Sequence, residues 1–177
     1  MFRQNLLSLI QNYKHRFPGE VAMPQRLEQF VRDNEECFER TLIIGHVTGS
    51  AWIVDQHDEK TLLTHHRKLN KWLQPGGHAD GDNLVSRVAM REAREESGLG
   101  GLSLVSKEIF DIDIHLIPAR NNEPRHYHYD CRFLIRCTGD ETYSVSDESH
   151  ELAWIPLAEI EKYTHEASIL RMVDKTR

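Results

Sequence analysis

The chain has few cysteines, no long apolar run and no excess of positive charge. Its 177 residues include only three cysteines and no Cys-x-x-Cys pair, which argues against a disulfide framework and favours reduced thiols. No apolar run approaches the roughly 20 residues that a membrane-spanning helix needs, and the first residues are too polar for a signal peptide. The net charge of −6 leaves no basic footprint for nucleic acid. We therefore expect a cytoplasmic protein that binds neither nucleic acid nor a membrane.

Two regions of the chain differ in their hydrophobic pattern. In residues 1–40, apolar positions such as Phe2 and Leu6 recur at helical spacing, and Pro24 suits the first turn of a second helix. Residues 41–177 then form the main part of the chain. The N-terminal extension fits three roles, namely a lid, a contact in a homodimer or simple packing, and packing is the commonest of the three.

After residue 40 the sequence changes to β-branched and alternating runs, which are typical of strands. A polar stretch over residues 118–125 separates two such runs and predicts a hairpin. A helix over residues 84–97 lies among the strands, and helices near the end follow them. Strands around a central helix indicate an α/β fold with a mixed sheet. The principal predicted strands cover residues 41–47, 51–54, 61–65, 111–117 and 126–137.

Three carboxylates crowd one side of the predicted central helix. Glu92, Glu95 and Glu96 stand at positions i, i+3 and i+4, which are neighbours on a helix. Like charges at i and i+4 repel by about 0.2–0.5 kcal/mol, so a cation is expected beside them. Mg²⁺ prefers oxygen ligands, often carboxylates together with substrate phosphates. The opposite side of this helix is apolar, and Gly98 stands where a C-terminal cap belongs.

The segment from residue 77 to residue 99 resembles the Nudix box. That motif reads Gly, five residues, Glu, seven residues, and then Arg-Glu-apolar-x-Glu-Glu-x-Gly-apolar. The resemblance implies an α/β/α sandwich with a mixed sheet for a Nudix hydrolase domain over residues 41–177, with residues 1–40 as a helical extension. The positions that match in register are Gly77, Arg91, Glu92, Ala93, Glu95, Glu96, Gly98 and Leu99.

The same resemblance implies a reaction and a metal cofactor. Nudix hydrolases cleave the diphosphate of a nucleoside diphosphate linked to another group, by attack of water at phosphorus, with Mg²⁺ or Mn²⁺ as cofactor. By resemblance Glu95 and Glu96 are metal ligands, and Glu92 is a further ligand or the base. The backbone carbonyl of Gly77 joins the metal shell, and Arg91 orients the glutamates.

Residues on either side of the box complete the predicted site. Gly76 and Gly77 form a glycine-rich loop that lets a phosphate approach the backbone closely, and His78 is placed to contact that phosphate. A later carboxylate often serves as the base in this family. Glu151 is the first choice for that role and Glu148 is the alternative.

One position departs from the motif. The first glutamate of the family falls on Asn83. Asparagine is a favoured residue at a helix N-terminus, so we predict that Asn83 caps the central helix. Any carboxylate role of the family glutamate is then absent or is taken by Asp82 or Asp80.

Histidines on one predicted strand form a second polar feature. His126 and His128 are two residues apart and therefore face the same way. They fit either a zinc-binding pair or a polar sheet face near substrate or solvent, and the polar face is the more common arrangement.

Two other functional classes compete with hydrolysis. Isomerase relatives of this fold bind isoprenoid diphosphates and use a reactive cysteine, but Cys131 and Cys137 alternate with apolar core positions. A non-catalytic nucleotide-binding module keeps the fold and loses the acids, whereas the acids are intact here. The nucleotide-type substrate itself is open among ADP-ribose or a nucleotide sugar, an oxidised nucleoside triphosphate and a dinucleoside polyphosphate.

Overall fold

The computed structural model describes residues 3–120, 123–147 and 149–177. Within them it contains four α-helices, a short 3₁₀-helix and eight strands. The helices are α1 (Gln4–Arg16), α2 (Ala22–Asp33), α3 (Val85–Ser97) and α4 (Ala167–Thr176), and the 3₁₀-helix covers Leu157–Lys162. The strands are β1 (Gly45–Val54), β2 (Lys60–His66), β3 (Lys71–Leu73), β4 (Gly76–His78), β5 (Leu102–Leu104), β6 (Asp111–Ile117), β7 (His126–Cys137) and β8 (Ser149–Pro156).

Strand β1 lies at the centre of a mixed sheet. It pairs in parallel with β7 along its whole length, and it pairs antiparallel with β4 near its middle and with β2 at its end. Strands β5 and β6 pair with β7, while β3 and β8 pair with β2. The predicted mixed α/β architecture is confirmed, and so is the hairpin between β6 and β7.

Helices cover both faces of β1, whose residues are all buried. On one face, Ala51 and Ile53 pack in a cluster with Ala93 of α3. On the other face, Trp52 and Val54 pack in a cluster with α4 and the 3₁₀-helix. Because successive side chains of a strand point to opposite faces, the central strand contributes to two separate cores and fixes α3 relative to the sheet.

The N-terminal helices share the core of the sheet. Leu6 and Ile10 of α1 and Leu27 of α2 are fully buried, in the same cluster as Val88 of α3. Pro24 lies in the first turn of α2 as predicted, whereas Phe2 lies outside the described residues. The extension therefore packs against the rest of the chain, and its separation as a unit over residues 1–40 stays a prediction.

The predicted strands differ from the observed ones in several details. The runs at 41–47 and 51–54 are one strand, β1, because residues 48–50 pair with β4 on one side and with β7 on the other. Residues 41–44 instead form turns before it. The predicted glycine-rich loop at residues 76 and 77 belongs to β4, and no strand was predicted at β3 or β5. Apart from the turns at residues 41–44, these differences come from pairing between separate segments of the chain.

Among the described residues, no helix is both long enough and apolar enough to cross a bilayer.

Candidate functional site

The candidate site lies where α3 faces the short strand β4. Arg91 of α3 donates one hydrogen bond to the Oε1 of Glu92 (2.7 Å) and another to the backbone carbonyl of His78 (2.9 Å). The hydrogen bond and the charge of Glu92 raise the pKa of the Arg91 guanidinium. Arg91 is therefore fully charged and links the helix to the strand.

A second link holds the helix and the strand together. The backbone N–H of Gly76 donates to the Oε1 of Glu96 over 2.8 Å, and Glu96 is only 7 % exposed. A carboxylate that accepts a backbone N–H has a fixed orientation. Glu96 is thus held at the base of the site with one oxygen already engaged by β4.

Gly77 makes the closest approach between the two elements. A Cβ on residue 77 would lie 2.5 Å from the Cδ of Glu92, far inside van der Waals contact. Glycine therefore leaves that carboxylate in its present position, whereas any larger residue would push it aside. The backbone of β4 and the Glu92 carboxylate therefore share one small volume.

Glu95 is the accessible member of the set. Its side chain is 63 % exposed, and its Oε2 lies 4.0 Å from the Nε of Arg91. The spacing prediction is correct in placing the glutamates on one helix beside the glycines. Carboxylates and a backbone carbonyl are oxygen donors, the ligand type that Mg²⁺ and Mn²⁺ prefer, so the donor set fits such an ion.

Comparison with known proteins identifies this arrangement. The family model of the NUDIX domain matches residues 46–175, which include α3, β4 and most of the sheet. The chain belongs to the NUDIX family. Membership of this family supports the predicted enzyme class, a Nudix pyrophosphohydrolase.

Solved Nudix structures share the fold at low sequence identity. The Ap4A hydrolase of C. elegans, in a binary complex, has a TM-score of 0.58 and 17 % identity, covering 73 % of this chain and 93 % of that one. A MutT NUDIX hydrolase from Burkholderia pseudomallei has a TM-score of 0.57 and 23 % identity, covering 75 % and 98 %. A NUDIX family hydrolase from Clostridium perfringens has a TM-score of 0.55 and 24 % identity, covering 74 % and 95 %. Among curated proteins, no sequence matches this chain.

Asn83, where the chain departs from the Nudix box, does not have the role predicted for it. Leu84 is the N-cap residue of α3 and makes no side-chain capping bond, so the prediction that Asn83 caps the helix is wrong. The Oδ1 of Asp82 instead accepts the N–H of Leu84 over 2.9 Å. Asp82 also forms an ion pair with Arg87, which lowers its pKa.

Asp80, the other acid considered in place of the family glutamate, is also engaged. It forms an ion pair with Arg40, and this hydrogen-bonded partner lowers the pKa of the Asp80 carboxyl. Both acids that precede α3 are therefore charged and neutralised by an arginine. Neither carboxylate is free of a cationic partner.

The later carboxylate of the predicted Nudix site lies on a strand. Glu151 belongs to β8, opposite His65 of β2, and is exposed. Strand β8 extends from residue 149 to residue 156 because it pairs with β2 along that length. Glu148 lies outside the described residues. The role of Glu151 stays a prediction.

His78 lies beside polar residues of β1 that were not predicted to belong to the site. Burial, followed by the charge of Arg40, lowers the pKa of the His78 ring. Its ring lies 4.9 Å from that of His46, measured between centroids. His46 begins a period-two polar pattern in β1, with Thr48 and Ser50 following it, and that alternation was the signal available in the sequence.

Two of these polar residues of β1 reach a buried carboxylate on β7. The hydroxyls of Thr48 and Ser50 donate to the Oδ1 of Asp130 over 2.9 and 2.7 Å, and the Nε of Arg132 donates to its Oδ2 over 2.8 Å. Asp130 is 2 % exposed. The polar face predicted for β7 is therefore an interior one that faces β1, beside β4.

Proposed function

We propose that this Nudix protein is a metal-dependent hydrolase that cleaves the diphosphate of a nucleoside diphosphate linked to another group. The observation that carries the proposal is the close approach of Gly77 to the Glu92 carboxylate, with Glu95 and Glu96 beside it on α3. A helix that presents three carboxylates to a glycine backbone suits a cation and a phosphate together.

The ion would be Mg²⁺ or Mn²⁺, held by the carboxylates of Glu92, Glu95 and Glu96 and by the backbone carbonyl of Gly77. When bound, such an ion neutralises charge on diphosphate oxygens and lowers the pKa of a bound water. The protein's own part is to hold the oxygen donors in place before substrate arrives. Such preorganisation is a major source of catalysis in phosphoryl chemistry.

The surrounding residues would position those donors and the substrate. Arg91 orients Glu92 through its 2.7 Å hydrogen bond and fixes β4 through the His78 carbonyl. Gly76 orients Glu96 in the same way, and His78 would contact a substrate phosphate. Glu151 is our candidate for the base that removes a proton from the attacking water.

The cysteines weigh against an isomerase. Cys37, Cys131 and Cys137 are all buried, and burial raises the pKa of Cys131 well above its usual range and that of Cys37 to about 11. A catalytic cysteine needs an accessible thiol with a lowered pKa. The intact glutamates likewise weigh against a module that binds nucleotides without turnover.

The substrate class is open. Two of the aromatic residues that could have stacked on a nucleotide base lie in the core instead. Trp52 is fully buried, and Tyr129 is stacked on Phe30 with ring centroids 3.7 Å apart. Both belong to the core and offer no free face to a base. Trp72 is only partly buried, stacks on His65 and is the better candidate.

A substrate panel tests the proposal. Phosphate release, coupled to a phosphatase, would be measured with Mg²⁺ on ADP-ribose, nucleotide sugars, oxidised nucleoside triphosphates and dinucleoside polyphosphates. Diadenosine tetraphosphate belongs in the panel because the C. elegans neighbour is an Ap4A hydrolase. Turnover of a member supports the proposal. Binding without turnover on any member favours the non-catalytic module instead.

A further inference from the structure

Three histidines from three different strands meet beside the candidate site. His46 of β1, His78 of β4 and His128 of β7 each offer one ring nitrogen, and these atoms lie within 4.8 Å of one another. His46 and His128 are direct partners in the parallel β1–β7 pair, and His78 lies opposite Thr48 in the β1–β4 pair. Strand register, rather than a variable loop, therefore brings these imidazoles together.

His46 is buried in this cluster without a hydrogen-bond partner. It is 3 % exposed, and neither Nδ1 nor Nε2 has a partner among the described residues. Its ring centroid lies 4.9 Å from those of His78 and His128. Buried polar atoms are normally satisfied, so an interior imidazole with two unpartnered nitrogens is an unusual feature that a bound ion would explain.

His126 is oriented to add a fourth nitrogen. Its Nδ1 lies 2.9 Å from the carbonyl oxygen of Pro124, which can only accept, so Nδ1 carries the proton. Its Nε2 then presents a lone pair, which accepts a hydrogen bond from the Nε2 of His128 over 3.3 Å. Two nitrogens bound to one tetrahedral zinc ion at about 2.0–2.1 Å lie about 3.3–3.4 Å apart, which matches that spacing.

We propose that His46, His78 and His128 bind one borderline divalent transition-metal ion, with Zn²⁺ as the reference ion and His126 as the adjacent fourth ligand. Imidazole nitrogens suit Zn²⁺, Cu²⁺ and Ni²⁺, whereas Mg²⁺ prefers oxygen. The histidine site is thus chemically distinct from the glutamates of α3. The carbonyl of Pro124 would orient His126 as the second-shell carbonyls of zinc sites do.

The proposal does not depend on the hydrolase activity. Residue 78 belongs to both sites, since its ring lies in the histidine cluster and its carbonyl accepts the hydrogen bond of Arg91. Ion binding is measured without turnover. If the protein does not bind Zn²⁺, the proposed hydrolase activity is unaffected. If no substrate is hydrolysed, the proposed histidine site is unaffected.

The test uses full-length, tag-free protein that has been stripped of metal with a chelator. Zn²⁺ is titrated by calorimetry in excess Mg²⁺, which keeps the carboxylates occupied, and Co²⁺ is titrated by visible absorption, which reports nitrogen coordination. We expect one tight Zn²⁺ per chain that Mg²⁺ does not displace. We also expect His46→Gln and His128→Gln to weaken Zn²⁺ binding at least about tenfold, a minimum for lost ligands since second-shell changes already cost 10- to 100-fold.

His65→Gln is the matched control, because His65 lies on β2 against Trp72 and His150 and should leave Zn²⁺ binding unchanged. Circular dichroism checks that each variant is folded. Absence of stoichiometric Zn²⁺ binding to the wild type overturns the proposal whatever the variants do. So does Zn²⁺ binding that survives both histidine substitutions and disappears in Glu95→Gln, because the ion then lies at the carboxylates.

Discussion

Gly77 and Glu92 fit together closely: a Cβ on residue 77 would lie 2.5 Å from the carboxyl carbon of Glu92 and would displace that carboxylate. The contact joins β4 to α3 at the point where the proposed metal ion would bind. A clash of this size forces either the carboxylate or the strand to move. The geometry of the site therefore depends on having glycine, which has no side chain, at residue 77.

Gly77→Ala is expected to reduce activity while the protein stays folded. The added methyl displaces the Glu92 carboxylate, and displacements of about 1 Å near an active site cost about a hundredfold in rate. The measurement is kcat/KM with Mg²⁺. Gly100→Ala is the control, since a Cβ there meets nothing within 4 Å. Equal activities of the two variants would contradict the role given to this contact.

Glu151→Gln tests the proposed base. A base must be ionised to accept a proton, so its pKa sets the acidic limb of the pH–rate profile. Loss of this group is expected to lower kcat about a hundredfold and to remove that limb. Full activity with an unchanged bell-shaped profile would remove Glu151 from the catalytic set.

The parts of the site that depend on local spacing could be predicted from the sequence. The positions of Glu92, Glu95 and Glu96 follow from helical periodicity, and Gly98 ends α3 in the left-handed conformation as expected. The prediction of a cap at Asn83 is wrong because α3 begins one residue later, with Leu84 at the N-cap position. Capping propensity alone does not fix a helix start to within one residue.

The parts that depend on distant pairing could not be predicted. Thr48 and Asp130 are 82 positions apart, yet they form a buried hydrogen bond because β1 and β7 are parallel neighbours. A single sequence carries the alternation of each strand but not the register between them. For the same reason, the sequence does not predict that His46 and His128 are neighbours.

Substitution of Asp111, which lies in a buried charge network, is predicted to lower the free energy of unfolding. Asp111 is fully buried, and it accepts hydrogen bonds from Arg171 (2.7 Å) and Lys175 (2.7 Å), with Arg132 3.4 Å away. Asp111→Asn removes the fully buried anion of this network, while Arg132 keeps Asp130 and Lys175 keeps Glu20 as partners. Removing one partner of a buried ion pair costs about 3–5 kcal/mol, and we expect a loss toward the lower end of that range, which urea unfolding would measure as a lower midpoint.

The matched control for this effect is the more exposed pair of Asp58 with Arg136. Asp58→Asn should cost less than about 1 kcal/mol, the usual value for surface pairs. Asparagine also accepts the positive φ of 58° at this position. Similar losses for Asp58→Asn and Asp111→Asn would show that the network at Asp111 is no stronger than a surface pair.

Acid is expected to destabilise the metal-free protein partly through His46. Burial, followed by the proximity of His78 and His126, lowers the pKa of His46 from 6.5 to about 4. Between these values the unfolded chain binds a proton that the folded chain does not, so stability falls as the pH falls from 6.5 toward 4. Between about pH 7.5 and about pH 5.5, one such histidine lowers the free energy of unfolding by about 1.4 kcal/mol.

The comparison of wild type with His46→Gln isolates that contribution. Urea unfolding of both proteins at the two pH values should give a smaller loss for the variant by about 1.4 kcal/mol. Parallel pH dependences of the two proteins would contradict a lowered pKa for His46.

Glu95 provides the most direct test of the carboxylate site, because it is the most exposed of the three glutamates and its substitution disturbs the core least. The measurement is kcat/KM with Mg²⁺ for the wild type, Glu95→Gln and the control Glu161→Gln, on the substrate with the highest turnover in the panel. The control glutamate is exposed on the 3₁₀-helix. We predict a fall of at least about a hundredfold for Glu95→Gln, or about 2.7 kcal/mol of transition-state stabilisation, and no change for the control. Wild-type kcat/KM in Glu95→Gln would contradict the assignment of the α3 carboxylates to the metal site.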